Sequence, residues 1–110
     1  MDFEHHDHGG YRVVTLTGDV DLSCAADSRR AILDAIQHGH NTLVDLAQVN
    51  YIDSSGIASL VEGYQKAREA GLEFGLVSVS DSALRVLELA RLNQVFPIHD
   101  SVEARIASDG

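Results

Sequence analysis

Apolar and polar positions alternate in blocks along the chain, and the period of each block predicts its structure. Tyr11 to Thr17 is β-branched and closes at Gly18, which predicts a strand. Phe3 to Asp7 predicts a shorter strand ahead of it, joined through the turn-forming cluster His8-Gly9-Gly10. Ser23 is placed to cap a helix that carries Ile32, Leu33 and Ile36 on one face and ends at Gly39. Thr42 to Leu46 is a compact apolar run, short enough to predict a buried strand.

The clearest helical pattern follows. Ile57, Leu60, Val61, Tyr64 and Ala67 recur at three- and four-residue intervals with Glu62, Gln65, Lys66 and Glu69 between them, and Gly71 fits the C-terminal cap. Phe74 to Val79 predicts a strand. Asp81 or Ser82 opens a helix with Leu84, Val86, Leu87 and Ala90. A short strand at Val95 to Ile98 and a helix from Ser101 to about Ala107 complete the series. The order β-β-α-β-α-β-α-β-α predicts an α/β fold: a mixed, mostly parallel sheet of about five strands, its first strand antiparallel, with about four helices packed on it.

Composition narrows the function. The 110 residues suit one domain, residues 1–110, and 45% apolar content supports a core without metals or disulfides. Cys24 is the single cysteine, and no secretory segment opens the chain, so a reducing, cytoplasmic location is expected. No run approaches the roughly 20 apolar residues of a membrane span, so no membrane insertion is expected. Eight basic against seventeen acidic residues give a net charge of −9, which repels a phosphate backbone and argues against direct nucleic-acid binding. Such a surface favours partners with basic patches.

Chemistry concentrates at Asp53-Ser54-Ser55-Gly56, at the start of the amphipathic helix that begins near Ile57. One reading is a capping cluster, since Asp and Ser are preferred N-caps and Gly56 lets the chain turn. The other adds that a serine here is exposed and that a phosphate on it would meet several N–H donors. The tetrapeptide by itself does not decide between them.

The wider pattern resembles the STAS family, the domain of bacterial anti-sigma-factor antagonists and of the cytosolic tails of sulfate transporters. The resemblance runs through Gly18-Asp19-Val20-Asp21, Leu43-Val44-Asp45-Leu46, Val49 to Ile57, Gly63-Tyr64-Gln65-Lys66 and Val86-Leu87-Glu88-Leu89, then Leu92 and Phe96. Together these pieces span about nine-tenths of the chain in the family's order. The resemblance implies a switch in which Ser54, with Ser55 as its neighbour, is phosphorylated by an anti-sigma factor that is also a serine kinase of histidine-kinase-like ATPase fold. The unphosphorylated form binds that kinase, and a serine phosphatase of the PP2C type restores it. Asp21, Asp53, Ser54, Ser55, Gly56 and Ile57 are the implied partner-binding residues. Asp21 reads equally well as a loop or cap residue. The other reading within the family is a non-switching subunit of a lipid-transport ABC complex, in which the segment is only interface and cap. A detached tail of an anion transporter is disfavoured by the start at Met1 and the missing membrane segment.

The chain departs from the family's pattern at three places, of which the loss of the proline often found early in the first helix, near Ala25-Ala26, is neutral. Ala58 stands where many have glycine, adding a methyl near the helix start. Ala90-Arg91 stands where Thr-Gly is common, removing the residue that takes a left-handed cap most easily.

No catalytic constellation is expected. Ile52-Asp53-Ser54-Ser55-Gly56 is not a Gly-x-Ser-x-Gly elbow, no histidine stands in a suggestive position, and no glycine-rich phosphate loop with its lysine occurs. On a strand His6 and His8 share one face while His5 takes the other, so a metal site is not expected and a solvated edge strand is. His38, His40 and His99 are expected singly at exposed element ends. No cofactor is expected.

Overall fold

The structure, a computed structural model, describes residues 2–21 and 25–109. The helix-capping role expected of Ser23 lies outside the described residues. Five strands, β1 (Asp2–His8), β2 (Tyr11–Val20), β3 (Asn41–Ile52), β4 (Phe74–Val77) and β5 (Ile98–His99), form one sheet in the order β1-β2-β3-β4-β5. Four helices intervene: α1 (Ala25–Gln37), α2 (Ser54–Glu69), α3 (Asp81–Leu89) and α4 (Val102–Asp109). β1 pairs antiparallel with β2 and every other neighbouring pair is parallel, as the element order predicts.

The hairpin is made by Gly9 and Gly10, whose φ angles of 58° and 88° supply the two positive values that a two-residue type I′ turn requires. One sheet face is covered by α1, α2 and α3 over a core that includes Val14, Leu16, Ile32, Val44, Leu60, Leu76 and Leu87. The other face carries a smaller cluster, Tyr11, Val13, Leu43 and Val77, beneath Val102 and Ile106 of α4.

Several strands depart from the pattern-based expectation; β4 ends at Val77, not Val79, where Ser78 leaves the strand conformation at φ 51°. β3 does not stop at Leu46 but runs to Ile52, because Val49 and Ile52 continue the buried set beyond the exposed interruption at Ala47-Gln48. The extension carries two bulges. Thr15 pairs with Asp45 but Thr17 with Gln48, and Gly18 pairs with Val49 but Asp19 with Tyr51, so β3 gains one residue each time. β2 likewise passes through Gly18, at φ 82°, to end at Val20.

The fifth strand departs as well. It occupies Ile98–His99, not Val95 to Ile98. The ring of Phe96 packs against Tyr64 (5.6 Å between centroids) and Phe74 (6.2 Å), and the N–H groups of Val95 and Phe96 both donate to the Leu92 carbonyl. That turn holds the chain out of the sheet until Pro97 has passed.

Helix ends repeat one device. In α1 and α2 the residue beyond the cap is Gly39 or Gly71, each with positive φ, and paired backbone bonds close a Schellman motif. α3 uses the same geometry with Arg91 at φ 60°. The Arg91 N–H donates to Glu88 and the Leu92 N–H to Leu87, at 3.0 and 2.8 Å. The missing glycine has not altered the motif; the arginine backbone adopts it.

Candidate functional site at the start of helix α2

β2 and β3 run parallel and end side by side, with Val20 opposite Ile52. The residues that follow, Asp21 and Asp53, therefore emerge together at the C-terminal edge of the sheet, where α/β folds form their crevices. The Asp53 N–H donates to the Val20 carbonyl at 3.1 Å and fastens the two chain segments. Asp21 thus follows β2 at the same sheet edge from which Ser54 follows β3, and is half-buried there.

α2 begins at Ser54, one turn earlier than the apolar pattern suggested. Asp53 is its N-cap, in extended conformation, and its Oδ1 accepts from the N–H groups of Ser55 (2.8 Å) and Gly56 (3.1 Å). Ile57 N–H makes the first intrahelical bond, to the Asp53 carbonyl. The expectation that a phosphate on Ser54 would meet several free donors is corrected by this geometry. The Asp53 carboxylate already holds two of the N–H groups that a bare helix end would offer.

Ser54 is exposed, Ser55 half-buried, and the Ser55 carbonyl accepts from the buried Ser59 hydroxyl at 3.2 Å. Gly56 is fully enclosed. A β-carbon on it would stand 2.6 Å from the Val20 carbonyl oxygen and 2.7 Å from Cγ1 of Ile52. Gly56 is present because helix and strand touch here, and this close approach turns the Ser54 side of the helix outward. Ile57, half-buried, packs on the core below.

Beside Ser54 a groove of about 670 Å³ runs between α2 and α3. Ser54, Ala58, Val61 and Gln65 form one wall, and Val86, Leu89 and Ala90 the other. Leu89 is 81% exposed at the rim. The α3 wall was not singled out from the sequence. Its signal was there: α3 is apolar around much of its circumference, with Ala83 and Leu87 buried and a second stripe at Val86, Leu89 and Ala90 left over. The Ala58 methyl lies in the groove one turn from Ser54.

Glu62, which also borders this groove, receives two hydrogen bonds from Arg29 of α1, at 2.8 and 2.7 Å. The hydrogen bond from Arg29, joined by the charges of Arg29 and Lys66 and opposed by partial burial, holds the Glu62 carboxyl below its ordinary range. The pair locks α1 to the helix that presents Ser54.

The histidines fall partly as expected. His6 and His8 share a face of the edge strand, with ring centroids 6.5 Å apart, and both are exposed. His40 is half-buried, its Nε2 3.2 Å from Arg12 Nη2, while Arg12 also pairs with Asp7. His99 lies half-buried in β5, so of His38, His40 and His99, all expected at exposed element ends, His38 alone is exposed. Among the described residues no group of three or more His, Cys, Asp or Glu side chains is placed to hold a metal ion. No described helix is long and apolar enough to cross a membrane.

The architecture defines a small α/β domain that presents a capped helix start and an adjoining apolar groove. The chain belongs to the STAS domain family, whose family model matches residues 2–104. It is 26% identical over 103 residues to the anti-sigma F factor antagonist of Paenibacillus polymyxa, covering 92% of this chain and 86% of that protein. It is 29% identical over 101 residues to the anti-sigma-F factor antagonist RsfB of Mycobacterium tuberculosis, covering 87% and 82%. The fold superposes on an anti-sigma-factor antagonist (STAS) domain protein from Planctomyces limnophilus with a TM-score of 0.87, at 22% identity, over 98% of this chain and 97% of that one.

Proposed function

We propose that this chain is an anti-sigma-factor antagonist of a partner-switching pathway. Unphosphorylated, it binds an anti-sigma factor that is also a serine kinase of histidine-kinase-like ATPase fold, through the surface around Asp21, Asp53 and Ser54 to Ile57. Phosphorylation of Ser54 releases it, and a serine phosphatase of the PP2C type returns it to the binding form. The observation that carries this reading is the exposed Ser54 at the first position of α2, directly after its capping aspartate. The names of the curated relatives support the class of partner.

The electrostatics suit such a switch. A phosphate adds about −1.5 to −2 charges at neutral pH. Beside Ser54 the Asp53 carboxylate already takes the Ser55 and Gly56 N–H groups, so the added charge remains largely uncompensated at the surface. A docking face complementary to a neutral hydroxyl then has to desolvate a dianion, and each 1.4 kcal/mol or so lost weakens binding about tenfold. Local repulsion is sufficient, without a change of fold.

The test is incubation with ATP and the histidine-kinase-like ATPase encoded nearest to this chain's gene, followed by mass spectrometry and a pull-down. One phosphate is expected on Ser54. Ser54→Ala stays bound to the kinase and Ser54→Asp binds poorly. Absence of phosphate from both Ser54 and Ser55 removes the proposal.

A further inference from the structure

Glu62 stands on the crest of α2 between two depressions. It borders the groove between α2 and α3 that opens at Ser54, and also a second one, of about 400 Å³, between α1 and α2. Among the described residues that line the Ser54 groove it alone carries a charge; around it are Val61, Gln65 and the apolar side chains of α3. Its carboxylate is turned to the α1 side, where Arg29 donates to both oxygens at 2.8 and 2.7 Å. Arg29 lines the second depression and not the first.

This pairing is exchangeable. The Arg29 side chain is 53% exposed and that of Glu62 32%, so water reaches both, and an ion pair of this kind contributes little to folding. Lys66, one turn further along α2, adds positive charge near Glu62 but lies 3.8 Å from Glu69. A solvated glutamate on a helix changes rotamer within nanoseconds. Turned away from α1, the carboxylate faces the Ser54 groove, eight residues or about 12 Å along the helix from Ser54. The groove then offers a hydroxyl at one end, an apolar middle that includes Val61 and Leu89, and a carboxylate at the other. Charge decides what fits it. The chain carries −9 and favours basic partners. An arginine or lysine with its stem along Val61 and Leu89 and its charge on Glu62 matches the pattern.

Resting on the partner-switching reading above, we propose that Glu62 is a second attachment point for the anti-sigma factor. A basic side chain of that partner lies in the groove and takes the Glu62 carboxylate from Arg29. Arg29 is then an internal competitor, which holds the carboxylate in the unbound chain and releases it when the partner docks. The groove is continuous with Ser54, so a protein that covers the serine also covers the approach to Glu62.

Calorimetric titration tests it, using the histidine-kinase-like ATPase encoded nearest to this chain's gene and a non-hydrolysable ATP analogue, so that Ser54 stays unmodified. Glu62→Gln is expected to weaken binding about tenfold. Arg29→Met, which keeps an apolar stem and removes the competitor, is expected to tighten binding about threefold. Added to Glu62→Gln, it changes nothing further, because Arg29 acts only through Glu62. A role confined to clamping α1 onto α2 gives the opposite sign for Arg29→Met, since losing the clamp then weakens binding. Arg29→Glu combined with Glu62→Arg restores the clamp with its charges exchanged. That chain is expected to melt with the wild type and to bind at least about tenfold more weakly. Should it fail to fold, the opposite signs of the two single variants decide. Glu62→Gln that binds as the wild type does, or Arg29→Met that binds more weakly, overturns this inference alone, provided the wild-type chain is bound and is phosphorylated on Ser54 with ATP. A wild-type chain that the ATPase neither binds nor phosphorylates removes the partner-switching reading with it.

Discussion

The carbonyl oxygen of Val20 lies 2.6 Å from the point where residue 56 would carry a β-carbon, so the end of β2 and the first turn of α2 touch through a glycine. An alanine in a helix is ordinarily worth up to about 1 kcal/mol over glycine. Here the obstacle is backbone and cannot rotate away, and overpacking of this kind costs about 1–3 kcal/mol. Gly56→Ala is therefore expected to lower the melting temperature by several degrees, at about 4–8 °C per kcal/mol for a domain of this size. A melting curve at or above that of the wild type contradicts the contact.

Asp53 is expected to matter for stability through its cap. Asp53→Ala leaves the Ser55 and Gly56 N–H groups without their acceptor and costs about 1 kcal/mol in urea unfolding, whereas Asp53→Asn, which keeps an acceptor oxygen, costs less. Equal losses for the two variants would show that charge, not hydrogen bonding, is what the helix start requires.

Ser54→Asp separates folding from recognition. The position is exposed and the substitution is expected to change unfolding free energy by less than about 0.5 kcal/mol. A large loss of stability would make any accompanying loss of partner binding uninterpretable as a switch.

Arg91 holds a left-handed backbone that glycine adopts without strain. Arg91→Gly is expected to stabilise the chain by about 1 kcal/mol, the strain relieved exceeding the added freedom of the unfolded chain. Thermal unfolding of the two proteins side by side measures it, and destabilisation would mean that the arginine side chain contributes more than its backbone costs.

Acid should weaken the tie between α1 and α2. Because the folded state holds the Glu62 carboxyl below its ordinary value, through the Arg29 hydrogen bond first, its contribution is fully present above the unfolded carboxyl's pKa and is lost as pH falls through the folded one. Urea unfolding of wild type and Glu62→Gln should therefore differ at neutral pH and converge in acid. A difference that grows on acidification has the wrong sign for this pair.

The periodic parts of the sequence carried most of the architecture. Val13, Val14 and Leu16, and Leu60 and Ala67 of the α2 stripe, are buried as their spacing predicts, Ile57, Val61 and Tyr64 are half-buried against the same core, and the element order held throughout. What escaped the pattern were features decided by distant contacts. β3 continues past Ala47 because bulges let Val49 and Ile52 return to the core face, and β5 is delayed by a Phe96 ring that packs against residues twenty and more positions away. At the site, the exposed Ser54 and the capping Asp53 were legible from residue type and position. That the cap consumes the neighbouring donors was not, since it depends on the extended backbone of one residue. The α3 wall of the groove was hidden because leftover apolar positions on a short helix look the same as core.

The occupied cap at Asp53 has a further consequence for any group attached next door. The domain has little reason to reorganise around the newcomer, so taking it off again should return the same shape with nothing to unwind. Under the proposed switch, a chain built this way would be marked and erased many times over without a lasting change in its own conformation.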